Sequence, residues 1–223
     1  NVSNEFVGHP LLENNFEKGI DINQIIEKNN ALISVFPGSR KSELDVLTPI
    51  LIDFIKLMNE KYKDFTFVFH LTKEYSEFTQ GIIKKNKLSN CEVISDNKIK
   101  SHILKKSVFA VSKSGTVSLE ICNAKIPSII LYKMSLINFF IIKMLVKVKY
   151  ANIINIAAKE EIIPELLQSN CSPKKIFEYV SDFLDNPKKI DAQIKKTQLI
   201  INNFKTKNPS SLQAATDLNK FLN

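Results

Sequence analysis

Two short loops of small and polar residues could bind an anion, and each directly follows an apolar segment. The first is Pro37-Gly38-Ser39-Arg40, after the apolar run 31–36. Arg40 is the only arginine in the chain. Its planar, permanently charged guanidinium can bind a phosphate through two parallel hydrogen bonds, which a lysine cannot reproduce. This loop therefore predicts phosphate recognition by Arg40, and the alternative interpretation is an ordinary turn with a solvated arginine.

The second loop, Ser112-Lys113-Ser114-Gly115-Thr116, leads from an apolar run at 108–111 into a helical pattern. The first N–H groups of a helix have no intrahelical partner, and a glycine lets a phosphate approach them closely. Glu120 follows about one turn later, where a carboxylate could accept hydrogen bonds from ribose hydroxyls. The alternative is a plain helix cap with a solvated glutamate. Neither loop has the P-loop or G-x-G-x-x-G pattern, so a nucleotide would be held differently.

Alternating strand and helix patterns must position these loops. Short apolar runs predict strands at 31–36, 65–69, 91–94, 108–111 and 128–132, and helical spacing predicts helices between them. This order is typical of a parallel sheet covered on both faces, which binds ligands at the carboxyl ends of its strands. After Tyr132 only helical patterns remain, at 136–149, 173–184, 188–204 and 211–222. We therefore predict one Rossmann-like α/β domain with a helical C-terminal extension.

Composition narrows the function classes. The 223 residues include 31 Lys plus Arg against 23 Asp plus Glu, a net charge of +8, and 44% are hydrophobic. These values exclude a disordered or coiled-coil chain. Lysine supplies nearly all the positive charge, which disfavours nucleic acid as a partner because arginine usually reads bases. The three cysteines and the scattered His9, His70 and His102 predict neither disulfides nor a metal site, and they favour a cytoplasmic protein.

One further pattern suggests a membrane surface. The stretch 136–149 mixes large apolar residues with Lys143, Lys147 and Lys149. Such a helix suits the interface of an anionic membrane, and a buried core or dimer helix with extended lysines is the alternative. No segment reaches the roughly 18–20 uninterrupted apolar residues of a membrane-spanning helix.

Five segments in order resemble the lipid-A-disaccharide synthase family. They are Phe6-Val7-Gly8-His9-Pro10-Leu11, Phe36-Pro37-Gly38-Ser39-Arg40-Lys41-Ser42-Glu43, Ser114-Gly115-Thr116-Val117-Ser118-Leu119-Glu120, Pro127 to Met134 and Asn155 to Gln168. The resemblance implies an inverting, metal-independent glycosyltransferase with two Rossmann-like domains, the GT-B architecture, and no cofactor. It implies transfer of 2,3-diacylglucosamine from its UDP donor to 2,3-diacylglucosamine 1-phosphate, a lipid monosaccharide, on the inner face of the bacterial inner membrane.

The resemblance also implies an organisation and site roles. Residues 1–30 would be an interdomain segment with a leading helix and the hinge residues Gly8 and His9. Residues 31–168 would bind the donor, and 169–223 would be C-terminal helices that pack on the first domain and on a partner subunit. Donor contacts carry over to the following residues: Ser39, Arg40, Ser114, Gly115, Thr116, Glu120, Asn155, Glu165 and Gln168.

Two departures from the family pattern stand out. Lys159 and Glu160 replace a usual glycine and arginine, which reverses one charge near the expected anion site. The first domain, with the catalytic base and the acceptor contacts, has no counterpart here, so we expect a donor-binding half that binds without turnover. The alternatives are another UDP-sugar enzyme of the same architecture, such as an epimerase or the transferase of peptidoglycan synthesis, and a non-catalytic UDP-binding fragment of a split gene.

Overall fold

Six parallel strands form the centre of the protein. The computed structural model describes residues 5–13, 30–134 and 149–222. The strands lie in the order β3-β2-β1-β4-β5-β6, and their bounds are β1 (Ala31–Phe36), β2 (Phe65–His70), β3 (Cys91–Ile94), β4 (Ser107–Lys113), β5 (Ser128–Tyr132) and β6 (Glu165–Leu167). The predicted Rossmann-like α/β sheet is confirmed.

Helices connect the strands and cover both faces of the sheet. A 3₁₀ turn at Pro10–Leu12 precedes them, and a second lies at Gln168–Asn170. The helices are α1 (Lys41–Lys61), α2 (Lys73–Lys85), α3 (Asn97–Lys106), α4 (Val117–Asn123), α5 (Ile153–Ala158), α6 (Pro173–Leu184), α7 (Pro187–Asn202) and α8 (Ser210–Leu222). The C-terminal helices share the main core, since Ile176 and Val180 of α6 are buried with Leu51 of α1.

The strand order reverses between β1 and β4. Chain connections leave the sheet in opposite directions from these two neighbouring strands, so a crevice opens beyond their carboxyl ends. Both strands are almost completely buried. Because helices cover both faces of the sheet, such strands are written in the sequence as continuous apolar runs. Because β1 ends at Phe36 and β4 at Lys113, the two loops singled out by the sequence meet at this edge.

The prediction that strands end after Tyr132 is wrong. β6 pairs in parallel with β5, with Leu166 opposite Leu131, and the short helix α5 precedes it. A three-residue strand has too few positions to show a period, and it forms here because β5 offers it an open edge.

Two predicted helices lie outside the described residues. They are the leading helix expected within residues 1–30, of which only 5–13 and 30 are described, and the interfacial helix at 136–149, of which only Lys149 is described. Among the described helices, none combines the length and the apolar character that crossing a membrane requires.

Candidate functional site

A cleft of about 410 Å³ opens at the carboxyl ends of β1 and β4. Its wall brings together six residues that the sequence predicted as a site: Ser39, Arg40, Ser114, Gly115, Thr116 and Glu120. They come from two loops and the first turn and a half of α4, more than seventy residues apart in the chain. The cleft also contains charged groups to which the sequence assigned no role: Glu43, Asp96, Lys100 and Lys113.

Glu43 organises the first loop. Its Oε2 accepts a hydrogen bond of 3.0 Å from the backbone N–H of Ser39, and its Oε1 lies 3.3 Å from Arg40 Nη1. Gly38 has φ 121°, and a Cβ there would lie 2.3 Å from Glu43 Oε2. Only glycine combines this backbone conformation with such a close approach. The Pro-Gly turn therefore folds the loop onto Glu43, and the Arg40 side chain remains 77% exposed.

Lys113, the last residue of β4, contributes a second cation to the same carboxylate. Its Nζ lies 2.9 Å from Glu43 Oε1 and 5.8 Å from the centre of the Tyr132 ring. Burial alone would raise the pKa of the Glu43 carboxyl, but hydrogen bonds from Lys113 and the Ser39 N–H, with the charges of Lys113 and Arg40, hold that pKa below its usual value. Glu43 is therefore ionised at neutral pH.

The second loop lines the cleft from Lys113 to Thr116. The Ser114 hydroxyl donates a 2.7 Å hydrogen bond to the carbonyl of Ala151, so it anchors the loop. A Cβ at Gly115 would meet only the Lys113 carbonyl, at 4.0 Å. Thr116 caps α4 without a side-chain hydrogen bond to it. This arrangement leaves room for a ligand beside the start of α4, where helix N–H groups have no intrahelical partner.

Two further carboxylates, of Glu120 and Asp96, line the cleft. Glu120 of α4 is paired with Lys100 of α3, with Oε2 2.7 Å from Nζ, and both side chains are largely buried. Asp96 accepts a 2.7 Å hydrogen bond from the Lys98 N–H and caps α3. The cleft wall therefore contains two charge clusters, one in which Arg40 and Lys113 contact Glu43 and one in which Lys100 contacts Glu120.

His70 is buried in the cleft wall at the end of β2. Its ring stacks on Phe36, with centroids 4.2 Å apart. The Ser107 hydroxyl donates to the Ile103 carbonyl, so Ser34 must donate to Ser107 and accept from His70 Nε2, at 2.9 Å. The ring is thus the Nε2–H tautomer, and its Nδ1 has no partner among the described residues.

Burial, together with the charge of Lys100, lowers the pKa of His70 to about 3. The unfolded chain binds a proton at this histidine near pH 6.5, and the folded chain does not. Stability from this group is therefore complete above about pH 6.5 and is lost as the pH falls toward 3, by up to about 1.4 kcal/mol per pH unit.

We expect His70→Gln to flatten this part of the curve of unfolding free energy against pH, measured by urea unfolding between pH 7 and 4.5. His102→Gln is the control, and parallel curves for wild type and His70→Gln would contradict the expectation.

Three predicted site residues lie beyond the cleft and bind the backbone. Asn155 is fully buried; its Oδ1 accepts from the N–H groups of Ile162 and Ile163, both at 2.9 Å. Glu165 accepts from the N–H groups of Ala151 and Asn152, at 2.7 and 3.0 Å, and from Asn155 Nδ2. Gln168 exchanges two hydrogen bonds with the backbone of Met134.

This network nevertheless reaches the cleft through one residue. Glu165 holds the N–H of Ala151, and the carbonyl of Ala151 accepts the hydrogen bond from Ser114. Asn155 and Glu165 therefore fix the segment against which the second loop is anchored. Their predicted role as direct donor contacts stays a prediction.

The predicted hinge residues pack on the C-terminal segment. Gly8 has φ 84°, and a Cβ there would lie 2.6 Å from Thr206 Oγ1. The His9 N–H donates a 3.1 Å hydrogen bond to the Phe204 carbonyl, and its Nδ1 accepts from the Leu11 N–H. The segment before the domain is thus joined to the chain after α7, and its hinge role stays a prediction.

Comparison with known proteins identifies the family. The model of the lipid-A-disaccharide synthetase family matches residues 1–217. The chain belongs to the lipid-A-disaccharide synthase family. A relative from Rickettsia prowazekii (strain Madrid E), named lipid-A-disaccharide synthase, is 32% identical over 97% of this chain and 58% of its own length. The chain spans about half the length of the curated relatives it matches.

Solved structures agree with this fold. The C-terminal domain of a group 1 glycosyl transferase from Francisella tularensis superposes with a TM-score of 0.53 at 16% identity, covering 84% of this chain and 94% of that domain. A UDP-GlcNAc 2-epimerase from Neisseria meningitidis, bound to UDP-GlcNAc, gives a TM-score of 0.61 at 15% identity over 88% of this chain and 47% of its own. At these identities the likeness shows the Rossmann-like fold of GT-B glycosyltransferases.

The two departures from the family pattern have structural explanations. Lys159 follows α5 directly and has a left-handed backbone conformation, φ 56° and ψ 21°. Glycine adopts this conformation without strain, which explains why glycine is usual at this position in the family. Glu160 is ion-paired with Lys196 of α7, and both side chains are about half exposed. Neither residue is among the described residues that line the cleft. The charge reversal therefore faces the C-terminal helices.

We expect Lys159→Gly to stabilise the chain by about 0.5–1 kcal/mol, because the left-handed strain exceeds the extra entropy of an unfolded glycine. Urea unfolding measures the change. Lys195→Gly, at an exposed position inside α7, is the matched control and should cost about 1 kcal/mol. A destabilised Lys159→Gly variant would contradict the explanation given for the family glycine.

Proposed function

We propose that this chain is the UDP-sugar-binding half of a glycosyltransferase that makes the lipid A disaccharide. The polarity of the cleft carries the proposal. Arg40 and Lys113 outnumber Glu43 in one charge cluster of the cleft, as a diphosphate requires, and Glu120 in the other cluster suits vicinal ribose hydroxyls. A nucleoside diphosphate carries both kinds of group, an anionic diphosphate and a ribose with two hydroxyls.

In this proposal each predicted residue has a distinct task. Arg40 binds the diphosphate, and Ser39, Gly115 and Thr116 line its path. Ser114 holds the second loop to Ala151, and Glu120 holds the ribose. Asn155, Glu165 and Gln168 support this end of the sheet from behind. The charge that develops on departing UDP would then be stabilised by groups already in place, which is the main electrostatic contribution to such transfers.

The reaction is the transfer of 2,3-diacylglucosamine from UDP to 2,3-diacylglucosamine 1-phosphate, with inversion. The acceptor hydroxyl oxygen forms a bond to the anomeric carbon, and the bond from that carbon to the β-phosphate oxygen breaks. UDP takes the bonding electron pair, and a base takes the hydroxyl proton. We assign the base and the acceptor contacts to the half of the longer relatives that has no counterpart in this chain.

The acyl chains place the reaction at a membrane. Each buried methylene contributes about 0.8 kcal/mol, so diacylated sugars stay in the bilayer and the enzyme must bind at its surface. We therefore propose a peripheral protein on the cytoplasmic face of the inner membrane, paired with an N-terminal half and in a homodimer.

Isothermal titration of this chain with UDP, without added metal, tests the proposal. Saturable binding, with weaker binding of ADP, supports a donor site for a uridine nucleotide. Absence of UDP binding, both with and without Mg²⁺, would contradict it. An epimerase is the second candidate, and it shares the donor; incubation with UDP-GlcNAc followed by proton NMR would show epimerisation if that were the activity.

A further inference from the structure

Lys113 lies where the two loops of the cleft meet. It ends β4 immediately before Ser114, and its side chain is 23% exposed. Its ammonium extends toward the first loop and contacts Glu43 of α1. Two lysines line the cleft within the described part of the chain, Lys100 and Lys113. Of these, Lys113 belongs to the second loop and contacts the glutamate that holds the first loop.

Lys113 and Arg40 bind the same atom. Arg40 Nη1 lies 3.3 Å, and Lys113 Nζ 2.9 Å, from Glu43 Oε1, so the two cationic nitrogens are no further apart than the sum of these distances. Because a phosphate group presents several oxygens, charge-assisted hydrogen bonds of about 2.8 Å can reach two nitrogens at this spacing through one oxygen or through two different oxygens. The two cations thus have a spacing that one phosphate group can span.

Glu43 neutralises only one of these two charges. The Glu43 side chain is 15% exposed and its carboxylate holds the Ser39 N–H as well, so Glu43 belongs to the scaffold of the loop. Arg40 contacts it through one nitrogen, and the rest of the guanidinium remains available. One positive charge of this cluster is therefore left for an anion from solution.

We propose that Lys113 is a second cationic ligand of the diphosphate, held beside Arg40 by Glu43. This inference rests on the proposed donor site and names a further binding residue in it. Lys113 would contribute a point charge and Arg40 a directional fork, so the diphosphate would be recognised from both loops at once. The competing interpretation is an ion pair that only joins α1 to β4.

The test compares the binding of three ligands to the wild-type chain and three variants by isothermal titration. UDP, UMP and uridine are titrated into the wild-type chain, Lys113→Met and Lys113→Arg. The matched control is Lys61→Met, because Lys61 Nζ likewise pairs with a carboxylate, Asp185, at 2.7 Å and lies 4.8 Å from the centre of a tyrosine ring, Tyr62. Thermal unfolding of each variant verifies that it is folded.

We expect Lys113→Met to weaken UDP binding about tenfold and to leave uridine binding within about twofold, with Lys113→Arg close to wild type. Lys61→Met should bind all three ligands as wild type does. Unchanged UDP affinity in Lys113→Met, or an equal loss for UDP and uridine, would overturn the role of Lys113 and leave the donor site standing. Failure of the wild-type chain to bind UDP would overturn both.

Discussion

Replacing Arg40 with alanine is expected to weaken UDP binding by about 1.5–3 kcal/mol, the range for hydrogen bonds to charged groups. This corresponds to a loss of about 10- to 150-fold in affinity. Arg40 is the only arginine of the chain, its side chain is 77% exposed, and the ion pair that it makes within the described part of the chain is to Glu43. The fold therefore uses little of its hydrogen-bonding capacity, and the loss should appear in ligand binding rather than in stability.

One further variant separates the effect of the planar guanidinium of Arg40 from the effect of its charge. Arg40→Lys keeps the charge but loses the planar pair of donors, so its UDP affinity should lie between those of wild type and Arg40→Ala. Lys41→Ala is the control, because Lys41 is the adjacent cation and pairs with Asp45 on the exposed side of α1. Equal UDP affinities in wild type and Arg40→Ala, measured by titration calorimetry, would remove Arg40 from the diphosphate site.

The part of the site that the sequence could predict is the part set by strand ends. The apolar runs 31–36 and 108–111 mark β1 and β4 clearly, because both are buried on two faces. Loops after neighbouring parallel strands open at one edge of the sheet. Ser39, Arg40 and the Ser114–Thr116 loop could therefore be placed together from the sequence.

The remaining cleft residues depend on tertiary contacts that no local pattern encodes. Lys100 reaches Glu120 only because α3 packs beside α4, and His70 enters the wall because β2 adjoins β1. Lys113 and Glu43 lay within recognised motifs, but their pairing follows from the Gly38 turn. The sequence analysis missed β6 and α5 because both are too short to show a hydrophobic period.

Replacing Asn155 with alanine is expected to destabilise the chain by about 3–5 kcal/mol, because each buried group left without a partner costs about 1–3 kcal/mol. Asn155 is fully buried and makes four hydrogen bonds. Alanine would take their Asn155 partner from the N–H and the carbonyl of Ile163, whereas the Ile162 N–H would keep its 3.1 Å hydrogen bond to the Glu160 carbonyl. Urea unfolding at pH 7 measures the loss, and Asn202→Ala, at an exposed position at the end of α7, should change stability by less than about 0.5 kcal/mol.

The same variant distinguishes a supporting role from a direct donor contact. If Asn155 acts through Glu165 and Ala151 on the Ser114 loop, the loss of stability should come with a smaller loss of UDP affinity. If Asn155→Ala instead has wild-type stability and does not bind UDP, Asn155 contacts the UDP-sugar directly. The four hydrogen bonds to scaffold atoms favour the first result, because they occupy both the donor and the acceptor of the amide. In that case the spacing from Asn155 to Glu165 serves the fold that positions the cleft.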